Sequence, residues 1–152
     1  MAKYKKRYIG KLDTCIRQAK QFLNVAKYCS EQNINSPCAF IFPLFVNASL
    51  SCELFLKAIM IFESTDSSFC SGHDLNQLFE EISADAQNGI SSYYQNRKVY
   101  ISLQDLLGKY GDNFVEWRYC FEHGSEGNSL GIIAFSESLE AYVDEIVKST
   151  IG

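Results

Sequence analysis

The stretch that decides the fold is residues 37–62, PCAFIFPLFVNASLSCELFLKAIMIF. It is apolar on almost every face, yet Asn47, Ser49, Ser51, Glu53 and Lys57 interrupt it. A membrane span of about 20 residues tolerates few such interruptions, so the stretch reads as a buried core helix and not as a span. A helix that is apolar all round has to be surrounded by other elements. Ser36 is a fitting N-cap with Pro37 at the first helical position, which predicts a helix over 37–62. Pro43 then either kinks it or marks a later true start. Glu53 and Lys57 lie four apart with the acid first, the better order for an ion pair on one helix face.

Helices are predicted on both sides. Leu12, Ile16, Ala19, Leu23 and Ala26 recur at helical spacing, with Arg17, Lys20 and Lys27 on other faces, so a first helix is expected over 11–31. After a polar loop over 63–72, His73-Asp74-Leu75 opens a short helix to Ile82, with Asp74 as cap or first-turn acid. Residues 84–98 give no clear pattern. Ser102-Leu103-Gln104-Asp105 resembles a capping box and starts a helix to Tyr110. Gly111 ends it, and Asp112 caps another over 113–123. A last helix is expected over 130–149, with Ile132, Phe135, Leu139, Tyr142, Val143 and Ile146 as its buried stripe. No alternating strand pattern competes. The expected fold is all-α, an antiparallel bundle of four to six helices.

With 152 residues, the chain fits one domain over 1–152. Its 47% hydrophobic and 21% charged residues are those of an ordinary globular protein. The 9 Gly and 2 Pro favour long helices over many turns. The net charge of -4 argues against a surface coated with nucleic-acid-binding charge. Lys3, Lys5, Lys6, Arg7 and Lys11 form a basic cluster, read as a solvated, frayed segment over 1–10 in preference to an RNA-binding arm. The six cysteines form no CxxC pair and do not alternate with histidines at metal-ligand spacing, so neither a zinc site nor any other metal is expected. Reduced thiols, the lack of an apolar stretch behind the basic residues and the absence of a span together predict a cytoplasmic protein that makes no membrane contact. No Gly-rich phosphate loop is present and no cofactor is expected.

The chain has two histidines, His73 and His123. Imidazole titrates near neutral pH, so these are the natural groups for proton transfer. His123 ends the segment Trp117-Arg118-Tyr119-Cys120-Phe121-Glu122-His123. An Arg can hold a phosphate by paired hydrogen bonds while an imidazole moves protons, which suits phosphodiester chemistry. Helix geometry sets a contrary expectation. Residues five apart differ by about 140° around the axis, whereas residues four apart differ by only about 40°. Arg118 is therefore placed beside Glu122 as a structural pair, unless the helix breaks before His123. The following Gly124 makes such an end fitting. His73 has a bland role too, hydrogen-bonding locally or packing against the helix expected over 37–62.

Three segments taken together resemble the HEPN superfamily. The first, residues 47–58, carries Ser51-x-Glu53-x-x-x-Lys57-Ala58. The second is Gly72-His73-Asp74-Leu75-x-x-Leu78-Phe79. The third holds Arg118 and His123 at the superfamily's Arg-x(4-6)-His spacing. The resemblance covers residues 37–149 and implies a helical bundle that usually dimerises. In active members two Arg-His motifs face each other across a dimer cleft and cut RNA without a metal. Carried over, His123 would act as general acid or base on the 2′-hydroxyl and Arg118 would stabilise the phosphate charge. A toxin or phage-defence role is implied. Glu53, Lys57, Glu122 and His73 are candidate binding residues. The chain departs from the pattern at Tyr119, where a short polar residue is common. It also has Ser125, where the variant regulated by nucleotide transfer has Tyr. The rival expectation is a non-catalytic module that binds a nucleotide, or a protein such as a nucleotidyltransferase or an antitoxin.

Overall fold

The computed structural model describes residues 2–36, 39–64, 72–110 and 127–151. Six helices are described: α1 Ala2–Asn35, α2 Ile41–Glu63, α3 Leu75–Glu81, α4 Ala84–Gln95, α5 Leu103–Tyr110 and α6 Gly127–Ile151. No strand occurs among the described residues, so the all-α expectation holds.

The boundaries differ from expectation in three places. Helix α1 begins at Ala2 and not near Lys11, so the basic segment is helical. Lys and Arg are good helix formers, and Gly10 alone is too weak a breaker to stop the helix. Helix α2 begins at Ile41 and not at Pro37. Ser36 closes the preceding helix instead, its N–H donating to the Gln32 carbonyl at 3.1 Å. Pro43 thereby falls in the first turn of α2, where no intrahelical N–H is needed, and the kink is avoided. The Phe40 N–H, just before this helix, donates to Asn33 Oδ1 at 2.8 Å, which ties the turn together. The third difference is α4, which fills the stretch that showed no clear pattern. Ser83 caps it, its hydroxyl accepting from the Ala86 N–H at 3.1 Å. The helix expected over 113–123 lies outside the described residues.

Helix α2 is the centre of the bundle. Leu44, Phe45, Ala48, Cys52, Phe55, Leu56 and Ile59 are all buried along an arc of about 120°, and Ser49, Ser51, Glu53, Ala58 and Met60 extend the buried surface further round the helix. It is the one described helix long and apolar enough to cross a membrane, and two thirds of its most apolar window (67%) is covered by the rest of the bundle. The α1–α2 contacts step in opposite directions along the two helices. Cys15 Sγ reaches the Leu54 carbonyl at 3.1 Å, Ser51 Oγ the Ala19 carbonyl at 2.8 Å, and Asn33 the Phe40 N–H. The pair is therefore antiparallel. Helix α6 also runs antiparallel to α1, with Lys20 on Asp144 at 2.8 Å and Lys27 on Glu137 at 3.5 Å.

Three helices meet at two buried hydroxyls. Ser51 Oγ donates to Ala19 of α1 and lies 2.7 Å from Ser136 Oγ of α6. Burying a hydroxyl without a partner costs about 1–3 kcal/mol, so each serine satisfies the other. Phe135 of α6 packs edge-on against Phe79 of α3, with ring centroids 6.0 Å apart. Gly131 lets α6 press against the loop after α4, because a Cβ there would sit 2.9 Å from Ile101 Cγ2 and 3.1 Å from Leu106 Cδ1. The packing explains why α3, α4 and α5 can be short. Each contributes one apolar stripe to a core that α1, α2 and α6 have already formed.

Candidate functional site

Where α2 faces the start of α3, three ionisable side chains converge. Glu53 projects from the middle of α2 and is 5% exposed. Its Oε1 accepts from Lys57 Nζ at 2.8 Å, one helical turn on. The same oxygen lies 2.5 Å from His73 Nδ1. A ring nitrogen that faces a carboxylate at this distance carries the hydrogen, so His73 donates from Nδ1. Lys57 is largely buried, while the His73 side chain is 70% exposed. The burial gradient runs outward from the carboxylate to the imidazole. A buried carboxylate is tolerable only when it is paired and hydrogen-bonded, and this one has both partners.

The local sequence explains the arrangement. Spacing of four residues puts Lys57 over Glu53 on one face of α2. Asp74 caps α3, its Oδ1 accepting from the Asn76 N–H at 2.9 Å and the Gln77 N–H at 3.3 Å. That cap holds the chain extended just before α3, with Asp74 at ψ 111°, and so fixes where the neighbouring His73 stands.

Beside the cluster an open groove of about 570 Å³ runs between α1 and α2. Glu53 and His73 line one side. Leu50, Leu54 and Phe22 supply an apolar floor, and Gln18 and Gln21 of α1 supply carboxamides. Cys15 of α1 stands close to the cluster as well. Burial pushes its thiol above the ordinary range, and the Lys57 charge opposes part of that rise. The thiol is therefore not an activated nucleophile.

Of the candidate site residues, the structure brings Glu53, Lys57 and His73 together. Arg118, Glu122 and His123 lie outside the described residues, and with them the question of whether Arg118 pairs with Glu122. The bland expectation for His73, packing against the helix that is now α2, is met through its contact with Glu53. The α1 residues of the groove were not legible as site residues. Gln18 and Gln21 look like any solvated face of an amphipathic helix. Phe22 carried the one usable signal, an aromatic residue off the Leu12–Ala26 stripe. Among the described residues no group of three or more His, Cys, Asp and Glu side chains could hold a metal ion. Comparison of the chain with protein-family models, with curated proteins and with solved structures finds no match.

Proposed function

We propose that the chain is a HEPN-like helical domain that cleaves RNA without a metal, with Arg118 and His123 as its catalytic residues. The observation that carries this reading is the Glu53–His73 contact. It joins two of the three segments on which the resemblance rests, residues 47–58 and 72–79, at a polar centre of an all-helical bundle. In the reaction, His123 takes the proton of a ribose 2′-hydroxyl while that oxygen attacks the adjacent phosphorus. The Arg118 guanidinium neutralises the charge gathering on the phosphate oxygens. As the bond from phosphorus to the 5′-oxygen breaks, the imidazolium of His123 gives up the proton it took and the leaving oxygen gains one, so the products are a 2′,3′-cyclic phosphate and a 5′-hydroxyl. Arrangement as a homodimer would bring two such pairs to one cleft, and a cytoplasmic toxin or defence effector fits this chemistry.

A second reading is favoured by a different observation. The net charge of -4 is unhelpful for gripping RNA broadly, and the groove beside Glu53 has the size of a small-ligand site. On this reading the domain is a non-catalytic module for a nucleotide or for a protein partner such as a nucleotidyltransferase or an antitoxin. RNA cleavage in EDTA separates the two. Cleavage by the unaltered protein that is lost in both His123→Ala and Arg118→Ala, with helicity and oligomeric state kept, supports the nuclease. Absence of cleavage, or equal cleavage by both variants, favours the module.

A further inference from the structure

We infer that a second copy of this chain docks face to face on an uncharged strip of α1 and α2 that has Val25 and Tyr28 along its middle. Two copies are called for by the nuclease reading above, but the surface named here is set by α1 and α2 alone and stands if the chain cuts no RNA.

The strip is built from two rows. On α1, Gln18, Gln21, Val25, Tyr28 and Gln32 recur every three or four residues and so share one face. On α2, Pro43, Val46, Leu50 and Leu54 do the same. The rows adjoin at both ends. Leu50 and Leu54 share the groove with Gln18 and Gln21, and at the other end the Tyr28 and Phe40 rings meet edge-on with centroids 6.5 Å apart. Single exposed apolar residues are ordinary, but here Val25 is 44% exposed, Tyr28 56% and Phe40 37%, as neighbours.

Charge is missing from this face. The sequence from Gln32 to Cys52 contains no charged residue, in a chain that is 21% charged. Lys20 and Lys27 of α1 turn the other way, to Asp144 and Glu137 of α6. Charge returns only at the edges, with Glu31, with Arg17 paired to Asp13, and at the far end with Glu53 paired to Lys57. An apolar centre inside a polar rim is the anatomy of a protein interface.

The lack of charge selects the occupant. Around a two-fold axis a patch meets its own copy, so any charge near the axis opposes itself. Val, Tyr, Phe and Leu carry no such penalty. A glutamine carboxamide donates and accepts, so it can pair with another of its kind. A partner of different composition would be steered to an acidic protein by basic charge, and this strip offers nothing for that charge to meet. The size agrees. From Gln18 to Gln32 is about 21 Å at 1.5 Å per residue, and two packed helices are about 20 Å wide, so the strip spans on the order of 400 Å². One partner in a standard interface buries about 800 Å², so the strip supplies an apolar half and the rim the rest.

The test is sedimentation equilibrium of the full chain from low micromolar to submillimolar concentration. A monomer–dimer equilibrium with a Kd of roughly micromolar order is expected. Val25→Glu and Tyr28→Glu alter exposed positions and set like charges against each other, so each is expected to weaken the dimer at least about a hundredfold. Tyr28→Ser removes the ring without adding charge and is expected to weaken it roughly tenfold. Tyr100→Glu changes a fully exposed ring between α4 and α5, outside the strip, and should leave the dimer as it is. Val25 is the midpoint of the α1 row and stands nearest the axis. Mixing Val25→Glu with Val25→Lys is therefore expected to restore an association that neither variant shows alone. Circular dichroism checks that every variant keeps its helices.

A chain that stays monomeric throughout that range overturns the proposal. So does a dimer that Val25→Glu and Tyr28→Glu leave as tight as before, since another surface would then join the copies and a different protein would cover this one. Equal loosening by Tyr100→Glu overturns it as well, because the effect would then be one of charge alone. Cleavage assayed in parallel keeps the two ideas apart. A dimer through the strip without RNA cleavage removes the nuclease and leaves this proposal standing. Cleavage that depends on His123 in a chain that stays monomeric does the reverse.

Discussion

Removing the Glu53 carboxylate and the Lys57 ammonium singly and together measures what holds the polar centre of this bundle. Glu53→Leu leaves the Lys57 charge, 13% exposed, without its carboxylate, and releases His73. Breaking a buried ion pair from one side costs about 3–5 kcal/mol, and partial water access at Lys57 places this case near the lower end, about 3 kcal/mol. Lys57→Met keeps the apolar stem and leaves Glu53 with His73 alone. Only the His73 side of that remaining contact is exposed, so it offsets part of the stranded carboxylate's cost and this variant is expected to lose about 2 kcal/mol. In the double variant no buried charge is stranded, and stability should return to within about 1 kcal/mol of the unaltered protein. Urea unfolding followed by far-ultraviolet circular dichroism reads the cycle. With a slope of about 1–3 kcal/mol per molar, the Glu53→Leu midpoint should fall by about 1–3 M and the double variant's by much less. Losses that simply add in the double variant would refute the reasoning, because they would mean that the two charges do not depend on one another.

Four further outcomes are expected. Gly131→Ala should lose about 1 kcal/mol or somewhat more, measured by thermal unfolding, since the added Cβ meets Ile101 and Leu106. Ser51→Ala and Ser136→Ala should each lose about 1 kcal/mol, and the double variant less than twice that, because the two hydroxyls satisfy each other. Cys52 is fully buried and its thiol is pushed far above the ordinary range by that burial, so peptide mapping after iodoacetamide should find it alkylated only in unfolded protein. Tyr94 donates to the Ile101 carbonyl at 2.7 Å, and burial raises its phenol from 10.0 to about 12. A pKa raised in the folded state means that its stabilisation is complete below pH 10 and is lost as pH rises towards 12. Denaturant midpoints across that window should fall more steeply for the unaltered protein than for Tyr94→Phe.

The large helices were legible because their chemistry is local and repeated. The Leu12–Ala26 stripe and the all-round apolar character of α2 each give α-helical spacing over many turns. The caps at Asp74 and Ser102 were legible for the same reason, since each needs only one side chain and the N–H two or three residues on. Helix α4 was hidden. Its Ala86, Ile90 and Tyr94 form a stripe only one residue wide, and Gly89, Asn88 and two serines dilute the propensity. Gly89 is there to admit the Tyr142 ring, 3.0 Å from where a Cβ would be. A requirement set by a residue so distant in sequence leaves no local trace. The site divides in the same way. The Glu53–Lys57 pair is read from spacing, but that His73 reaches the same carboxylate depends on how α3 docks. The α1 wall of the groove has no signature at all, because exposed glutamines are indistinguishable from a solvated face until the second wall is known.

The hydropathy of α2 has a consequence for synthesis. Its companion α1 precedes it, so a two-helix hairpin can form early from near neighbours. Its other cover, α6, holds Ile132 and Ser136, which reach Cys52 and Ser51 across 80 and 85 positions of chain. Until those residues have emerged from the ribosome, one flank of a helix apolar enough to enter a bilayer faces open solvent. During that interval the nascent chain presents a target for holding chaperones, for insertion machinery and for self-aggregation. The ordering of helices along the gene therefore makes α2 both the anchor of the finished bundle and its most vulnerable segment in the making.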